Sequence, residues 1–340
     1  MKIKSRMYIF MLLAILCPNL TGCGRQAEIT QSGFYFDTII SITLYDNSKT
    51  EELEHCMELA DLYERYFSAQ IADSDISRIN QAAGTPVKVH DETLALLEKG
   101  LYYSKLSQGK FDITIGKLTG LWDFRTDQAD VPDQKKIAKA AAAVDYKKVQ
   151  INGNEVTLAD DAAAIDLGGI AKGFIADKMK EYLVSQGVTS GLINLGGNVL
   201  VIGTKENGQD AGGAYKIGIQ RPFDETGQPI AAVQIKDQTV VTSGVYERYF
   251  EKNGRLYHHI LDVESGYPYE NELFSVSIIC PSSADADALS TTCFALGLDQ
   301  GMELVESLEN TEAVFITSDY KLHGSSGIGR TIPFEALPNP

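Results

Sequence analysis

Apolar and polar positions along the chain follow two rhythms, one with the 3.6-residue period of helices and one with the two-residue period of strands. Phe34 to Tyr45 (FYFDTIISITLY) is rich in β-branched and aromatic residues and predicts a strand. From Glu51 to Phe67 the residues Leu53, Cys56, Met57, Ala60, Tyr63 and Phe67 recur at helical spacing. Similar patterns predict helices over Asp91 to Leu106 and Asp133 to Ala143, and Asn152-Gly153-Asn154 predicts a turn within a hairpin from Val149 to Leu158. A strand, a Gly-rich turn and a helix are expected between Ala163 and Leu183. Strands follow around Leu192 to Ile202, Tyr215 to Gln220, Ala231 to Ile235, Arg255 to Asp262 and Phe274 to Cys280. Helices from Ala284 to Leu296 and Gln300 to Leu308, and a strand from Ala313 to Thr317, close the pattern. No linker is long enough to force two domains, so the expectation is one large α/β or α+β domain over residues 33–335.

The first 22 residues break both rhythms. Lys2, Lys4 and Arg6 precede an uncharged apolar run, Met7 to Cys17, that is too short for the ~20 residues of a membrane span. This is the pattern of a secretory signal. It ends in Leu20-Thr21-Gly22-Cys23, which resembles the lipobox of bacterial lipoproteins, where cleavage before the cysteine leaves an acylated N-terminal residue. The reading is a signal peptide over 1–22, a lipidated tether over 23–32, and a protein held by lipid, palmitate included, on the extracytoplasmic side of the cell membrane.

Charge and cysteine usage narrow the chemistry. The 340 residues carry a formal charge of −16, and loss of residues 1–22 removes three cations and no anion, leaving −19. Nonspecific nucleic-acid binding through a basic patch is disfavoured. Cys56, Cys280 and Cys293 remain as an odd set without CxxC spacing, read as buried free thiols. The five histidines show no zinc-ligand spacing.

Three clusters carry the candidate chemistry. In Ile165-Asp166-Leu167-Gly168-Gly169-Ile170-Ala171-Lys172-Gly173 a strand ends in an acid, two glycines allow close backbone approach, and a helix begins, so amides and the helix dipole can face an anion. It is neither a P-loop nor a GxGxxG fingerprint. The second cluster comprises Thr242-Ser243-Gly244, His258-His259-Ile260-Leu261-Asp262 and Ser265-Gly266-Tyr267-Pro268. In the third, Asp287 and Thr291 stand i, i+4 on a helix, hard oxygen donors of the kind Mg²⁺ takes.

Together these stretches resemble the bacterial FAD:protein FMN transferases of the ApbE type. The resemblance runs through FDT (36–38), FSAQ and DSDISRIN (67–80), GKFDITIGKLTGLWDF (109–124), IDLGGIAKGFIADKM (165–179) and INLGGN (193–198). It continues in VTSGVYERYF (241–250), HHILDVESGYP (258–268) and ADALSTTCFALG (286–297). It implies an α+β fold with a groove between sub-lobes in which FAD is a substrate. Phe36, Gln70, Lys110, Phe111, Asp112, Asp166, Lys172 and Ile260 would line FAD. Gly169, Asp287, Ser290 and Thr291 would hold Mg²⁺.

The implied reaction is attack by a Thr or Ser hydroxyl of an acceptor protein on the FMN-side phosphorus, with AMP leaving. His259 is the candidate base and Asp262 its orienting partner or substitute. Acceptors would be extracytoplasmic redox proteins with a flavinylation motif. The alternatives are an FAD pyrophosphatase giving FMN and AMP, and a non-enzymatic FAD-binding lipoprotein. For the anchor, Cys23→Ser is expected to abolish palmitate labelling and release the protein from membranes; a labelled, membrane-bound variant would exclude the lipobox.

Overall fold

The computed structural model describes residues 28–45, 50–124, 126, 129–205, 212–224 and 226–338. The signal segment and Cys23 lie outside the described residues. The stretch expected as one strand from Phe34 to Tyr45 is a hairpin: β1 (Ile29–Tyr35) pairs antiparallel with β2 (Thr38–Leu44) across Phe36 and Asp37. Both turn residues have positive φ, 52° and 55°, as a type I′ turn requires. The sequence conceals this because Phe-Asp lacks the glycine or asparagine that normally marks such a turn. Because β1 begins at Ile29, residues 29–32 belong to the sheet and not to the tether.

The chain continues through α1 (Thr50–Phe67), α2 (Asp75–Gln81), β3 (Val87–Lys88), α3 (Asp91–Leu106), α4 (Gly116–Thr119) and α5 (Gln134–Ala141). Next come β4 (Val149–Asn152), β5 (Glu155–Leu158), α6 (Ala171–Ser185), β6 (Ser190–Leu195), β7 (Asn198–Gly203), β8 (Tyr215–Gln220), β9 (Pro229–Ile235) and β10 (Thr239–Gly244). The rest is β11 (Tyr249–Lys252), β12 (Arg255–His258), β13 (Leu273–Cys280), α7 (Ser283–Glu306), β14 (Glu312–Thr317), β15 (Leu322–Gly324) and β16 (Phe334–Ala336).

The centre is an eight-stranded sheet in the order β1-β2-β6-β7-β10-β13-β14-β15, antiparallel throughout. One face, with Ile40, Ile42, Ile193 and Ile278, packs in the main core with Leu53, Met57, Ile175, Met179 and Phe294 of α1, α6 and α7. The other face is covered over β7, β10, β13 and β14 by the small sheet β16-β9-β8, through Val201, Val240, Ile279 and Val314 against Ile217 and Val233. This alternation is why β13 and β14 read as continuous apolar runs: both faces are covered. A third, separate cluster joins Leu118, Trp122, Ile137, Ala140 and Leu261, with Phe250 and Tyr257 of the ribbon β11-β12 packed on it. The strand expected before the Gly-rich turn is reduced to one bridge, Ile115 to Ala164. The two expected C-terminal helices run as α7, broken at Gly297, whose φ of 78° and ψ of −179° are open to glycine. Cys56, Cys280 and Cys293 are free and buried.

Helices α6 and α7 approach unusually closely. A Cβ on Gly173 would stand 2.1 Å from the Ser283 carbonyl oxygen, a backbone atom that cannot swing aside. One turn further along α6, the Asp177 carboxylate accepts from Ser282 Oγ (2.9 Å) and from the Ser283 (2.8 Å) and Ala284 (2.9 Å) amides, satisfying donors at the start of α7. An exposed helical glycine gains about 1 kcal/mol on change to alanine. Here the clash reverses the sign, and Gly173→Ala is expected to lose about 1–3 kcal/mol in urea unfolding. A variant as stable as the parent would show that the two helices can part.

Candidate active site

The Gly-rich turn is held from three sides. Asn80 of α2 acts like a strand neighbour to Ile165, accepting its N–H at Oδ1 (2.6 Å) and donating from Nδ2 to its carbonyl (2.9 Å). The Asp166 N–H donates to the Ile113 carbonyl at 2.8 Å. The Asp166 carboxylate accepts from the Gly168 N–H (2.8 Å) and from Thr119 Oγ1 (2.7 Å), closing the turn over itself. A Cβ on Gly169 would meet the Phe111 ring at 3.0 Å and Thr291 Oγ1 at 3.8 Å. The turn therefore lies against Phe111 on one side and α7 on the other, and its glycine admits that approach.

From α7, Asp287 reaches the first turn of α6, where its Oδ2 accepts the Gly173 N–H at 3.0 Å. Asp287 is only 4% exposed. Burial raises its carboxyl above the ordinary range, while the Lys172 charge and the Gly173 amide pull it back. Asn198 of β7 lies beside this carboxylate, with its Nδ2 buried and outside hydrogen-bonding geometry. Ser243 of β10 gathers the two α7 hydroxyls: its Oγ is 2.7 Å from Ser290 Oγ and 3.1 Å from Thr291 Oγ1. Ser290 Oγ also donates to the Asp287 carbonyl at 2.9 Å. Gly169, Asp287, Ser290 and Thr291 are thus brought together.

This donor set is all oxygen, with an under-neutralised buried carboxylate, and fits a hard divalent cation such as Mg²⁺. Among the described residues no three His, Cys, Asp or Glu side chains gather, so any cation here relies on hydroxyl and carbonyl oxygens beside the one carboxylate.

The ribbon β11-β12 delivers the next groups. Glu247 and Arg248 immediately precede it and His259 immediately follows it, with the His259 N–H donating to the Arg248 carbonyl at 3.1 Å. Glu247 has solvent-exposed surface, yet protein crowds it in the cleft and pushes its carboxyl up to about 7, with Lys172 opposing and Asp287 reinforcing that rise. His259 is half-buried, its Nδ1 is buried without a hydrogen-bond partner, and crowding together with Arg248, His258 and Lys172 lowers its pKa to about 3. It is a neutral imidazole at pH 7. Lys172 lies within electrostatic reach of Glu247, His259 and Asp287.

The expected pairing of His259 with Asp262 is not formed. Asp262 instead accepts from the Glu264 (3.1 Å) and Ser265 (3.3 Å) amides, an Asx-type turn that shapes the loop to Tyr267. Three residues of separation suggested adjacency, but the strand stops at His258 and the chain bends between the two. His258 points away from its neighbour, buried, with Nε2 on the Tyr269 carbonyl (3.0 Å) and its ring edge-on to Phe294.

The other expected FAD-lining residues are placed as follows. Phe36, in the β1-β2 turn, donates its N–H to Glu64 at 2.6 Å and packs on the main core. Gln70 is exposed after α1. The Lys110 carbonyl accepts from the Tyr269 hydroxyl (3.3 Å), and Tyr269 in turn donates its N–H to the Ile260 carbonyl (3.0 Å), so Lys110 and Ile260 are two contacts apart. Asp112 is buried and its carboxylate is engaged by the Thr114 amide and hydroxyl (2.8 and 2.7 Å) and the Tyr146 amide (2.8 Å). That carboxylate supports the loop behind Phe111.

The sequence profile of the ApbE family matches residues 36–315, which takes in every part of this cleft. The chain belongs to the ApbE family. It is 34% identical over 339 residues to the FAD:protein FMN transferase of Treponema pallidum, covering 94% of this chain and 93% of that one. With that of Klebsiella pneumoniae the identity is 37% over 265 residues, covering 77% and 81%. The crystal structure of the Thermotoga maritima ApbE protein superposes with a TM-score of 0.80 at 29% identity, covering 88% of this chain and 97% of that one. For the flavin transferase ApbE of Vibrio cholerae the values are 0.76, 26%, 88% and 97%. The mixed helix-and-sheet architecture expected from the sequence is the ApbE fold.

Several residues of this ApbE site carry no role in the sequence reading: Asn80, Thr119, Asn198, Ser243, Glu247 and Arg248. Each sits inside one of the motifs quoted above, and only the fold turns it toward the turn or α7. One prediction follows from His258. Its folded pKa is lowered to about 4 by burial, from 6.5 when unfolded. The unfolded chain therefore binds the proton first, and stability is complete above pH 6.5 and declines as pH falls toward 4, by on the order of 3 kcal/mol. Urea unfolding across that interval should show the slope, and because His259 is depressed in the same direction, His258→Asn should reduce the slope by about half rather than abolish it; an unchanged slope would remove His258 as a source.

Proposed function

We propose that this chain transfers FMN from FAD to a Thr or Ser hydroxyl of an acceptor protein and releases AMP. The observation that carries the reading is the convergence of Lys172, His259 and the Asp287 hydroxyl set on the Gly-rich turn, in a chain whose relatives over most of its length bear the name FAD:protein FMN transferase. Lys172 and Arg248 supply positive charge where a diphosphate would lie in an otherwise acidic protein. Amides of the turn, with Asp166 fixing its shape, orient the same group. Gly169, Asp287, Ser290 and Thr291 would hold Mg²⁺, which supplies charge neutralisation at the transferring phosphoryl group.

His259 takes the proton of the acceptor hydroxyl. That oxygen forms the new bond to the FMN phosphorus, and the bridging P–O bond breaks with its electron pair leaving on AMP. The cations that depress His259 make it a weak base in the free enzyme. A bound diphosphate offsets them, so base strength rises when FAD is present. The N-terminal segment supports an extracytoplasmic protein acylated at Cys23, among redox proteins of the membrane.

The direct test incubates the mature protein with FAD, Mg²⁺ and an acceptor domain bearing a DGAT- or SGAT-like sequence. Flavin fluorescence carried by the acceptor in a denaturing gel is expected; FMN released free, or FAD left unchanged, would contradict transfer. Asp287→Ala should slow transfer about 10²–10³-fold, or 3–4 kcal/mol. Wild-type turnover at limiting Mg²⁺ in that variant would remove the cation site. His259→Ala should slow transfer roughly 10²–10⁴-fold at unchanged FAD affinity and Tm. A parallel fall in Tm and FAD affinity would assign the histidine to structure.

A further inference from the structure

Among the described residues nothing covers the outer face of the β1-β2 hairpin, and its two largest side chains are the most exposed large apolar residues there: Phe34 at 69% and Ile39 at 66%. They are cross-strand partners. In line with them, Thr30 and Thr43 pair through their hydroxyls at 2.9 Å, and Ser32 and Ser41 at 3.2 Å, so these six residues form one face. The opposite face is occupied by Ile40, Ile42 and Leu44 in the core.

Charge sets this surface apart. In a chain with 46 acidic and 30 basic residues, Asp37 of the turn is the only charged residue between Glu28 and Asp46. The position in the chain matters equally. Five residues lie between Cys23 and Ile29, so the six steps reach roughly 20 Å when extended. An acyl chain on Cys23 would therefore keep β1 close to a bilayer at all times.

We infer that this face is the surface on which the protein rests against the lipid bilayer, with Phe34 and Ile39 entering the headgroup region. The inference rests on the proposed acylation of Cys23. The acyl chains on Cys23 would hold the protein to the bilayer without fixing which face meets it, and a second contact fixes that face. An uncharged face with an apolar end provides one without the repulsion that an acidic surface meets at anionic lipid. The same placement orients the cleft, because the hairpin turn adjoins the β6-β7 turn, where the Gly196 N–H donates to the Ile39 carbonyl, and Asn198 next to it stands beside Asp287. The acceptor would then be met near the membrane plane.

The test separates this surface from the acylation reading. Mature protein starting at Cys23 is coupled through that thiol to maleimide lipid in vesicles of brominated phosphatidylcholine; the other three cysteines are buried. The native tryptophan, Trp122, is buried and serves as the internal control. In Phe34→Trp, and independently in Ile39→Trp, the new indole is expected to shift blue and lose most of its emission to bromine. Tyr102→Trp, at an exposed site on α3, should keep its emission. Indoles at 34 and 39 that stay bright, or quenching at 102 to the same degree, would overturn the inference, whereas failure of palmitate to label Cys23 in cells would strike only the anchor. If Phe34→Ser/Ile39→Ser lowers acceptor flavinylation in solution without vesicles, the face is an acceptor contact and the membrane assignment falls.

Discussion

Everything in the cleft depends on two helices lying closer than side chains normally permit. With hydrogen alone at residue 173, α6 meets the backbone of α7, and the two carboxylates that cross the gap, Asp177 and Asp287, go in opposite directions. Asp177 of α6 ties down the start of α7; Asp287 of α7 ties down the start of α6. Each helix satisfies donors that the other leaves open, and the hydroxyls of Ser290 and Thr291 follow one turn later because α7 has no freedom to rotate. The mutual capping converts a sequence pattern into a fixed arrangement of oxygen atoms.

The helices were readable because their faces repeat: α1, α3 and α5 fall within a residue or two of the expected spans. The Val149 to Leu158 hairpin was readable because Gly153 supplies the turn. Where local chemistry is silent, the sequence misled. Phe36 and Asp37 adopt left-handed conformations that nothing in their identity announces, so two strands looked like one. Asp262 looked like a partner for His259 because spacing in sequence cannot report a bend. Motif resemblance gave roles to Asp287, Ser290 and Thr291, yet left Ser243 and Asn80, both within quoted motifs, without one, because they act only through neighbours far away in the chain.

Electrostatics in the cleft runs against the whole molecule. A chain with an excess of sixteen negative charges sets Lys172 and Arg248 around a histidine and leaves that histidine neutral and unpartnered at Nδ1. The local field favours an anion against the acidity of the whole chain. Glu247 adds a negative charge there that opposes Lys172.

The division of the apolar interior into separate cores has a consequence for how such a protein fails. Asp287 and the Gly-rich turn are braced by the main core, whereas the ribbon that bears Arg248 and His259 leans on the small cluster around Trp122 and Leu261. Damage to the small cluster would misdirect the imidazole and leave the oxygen-lined pocket in place. On the proposed mechanism, lesions of that kind would weaken transfer more than nucleotide binding, since the ribbon would bring the imidazole but only one of the two cations, so occupancy and turnover need not be lost together.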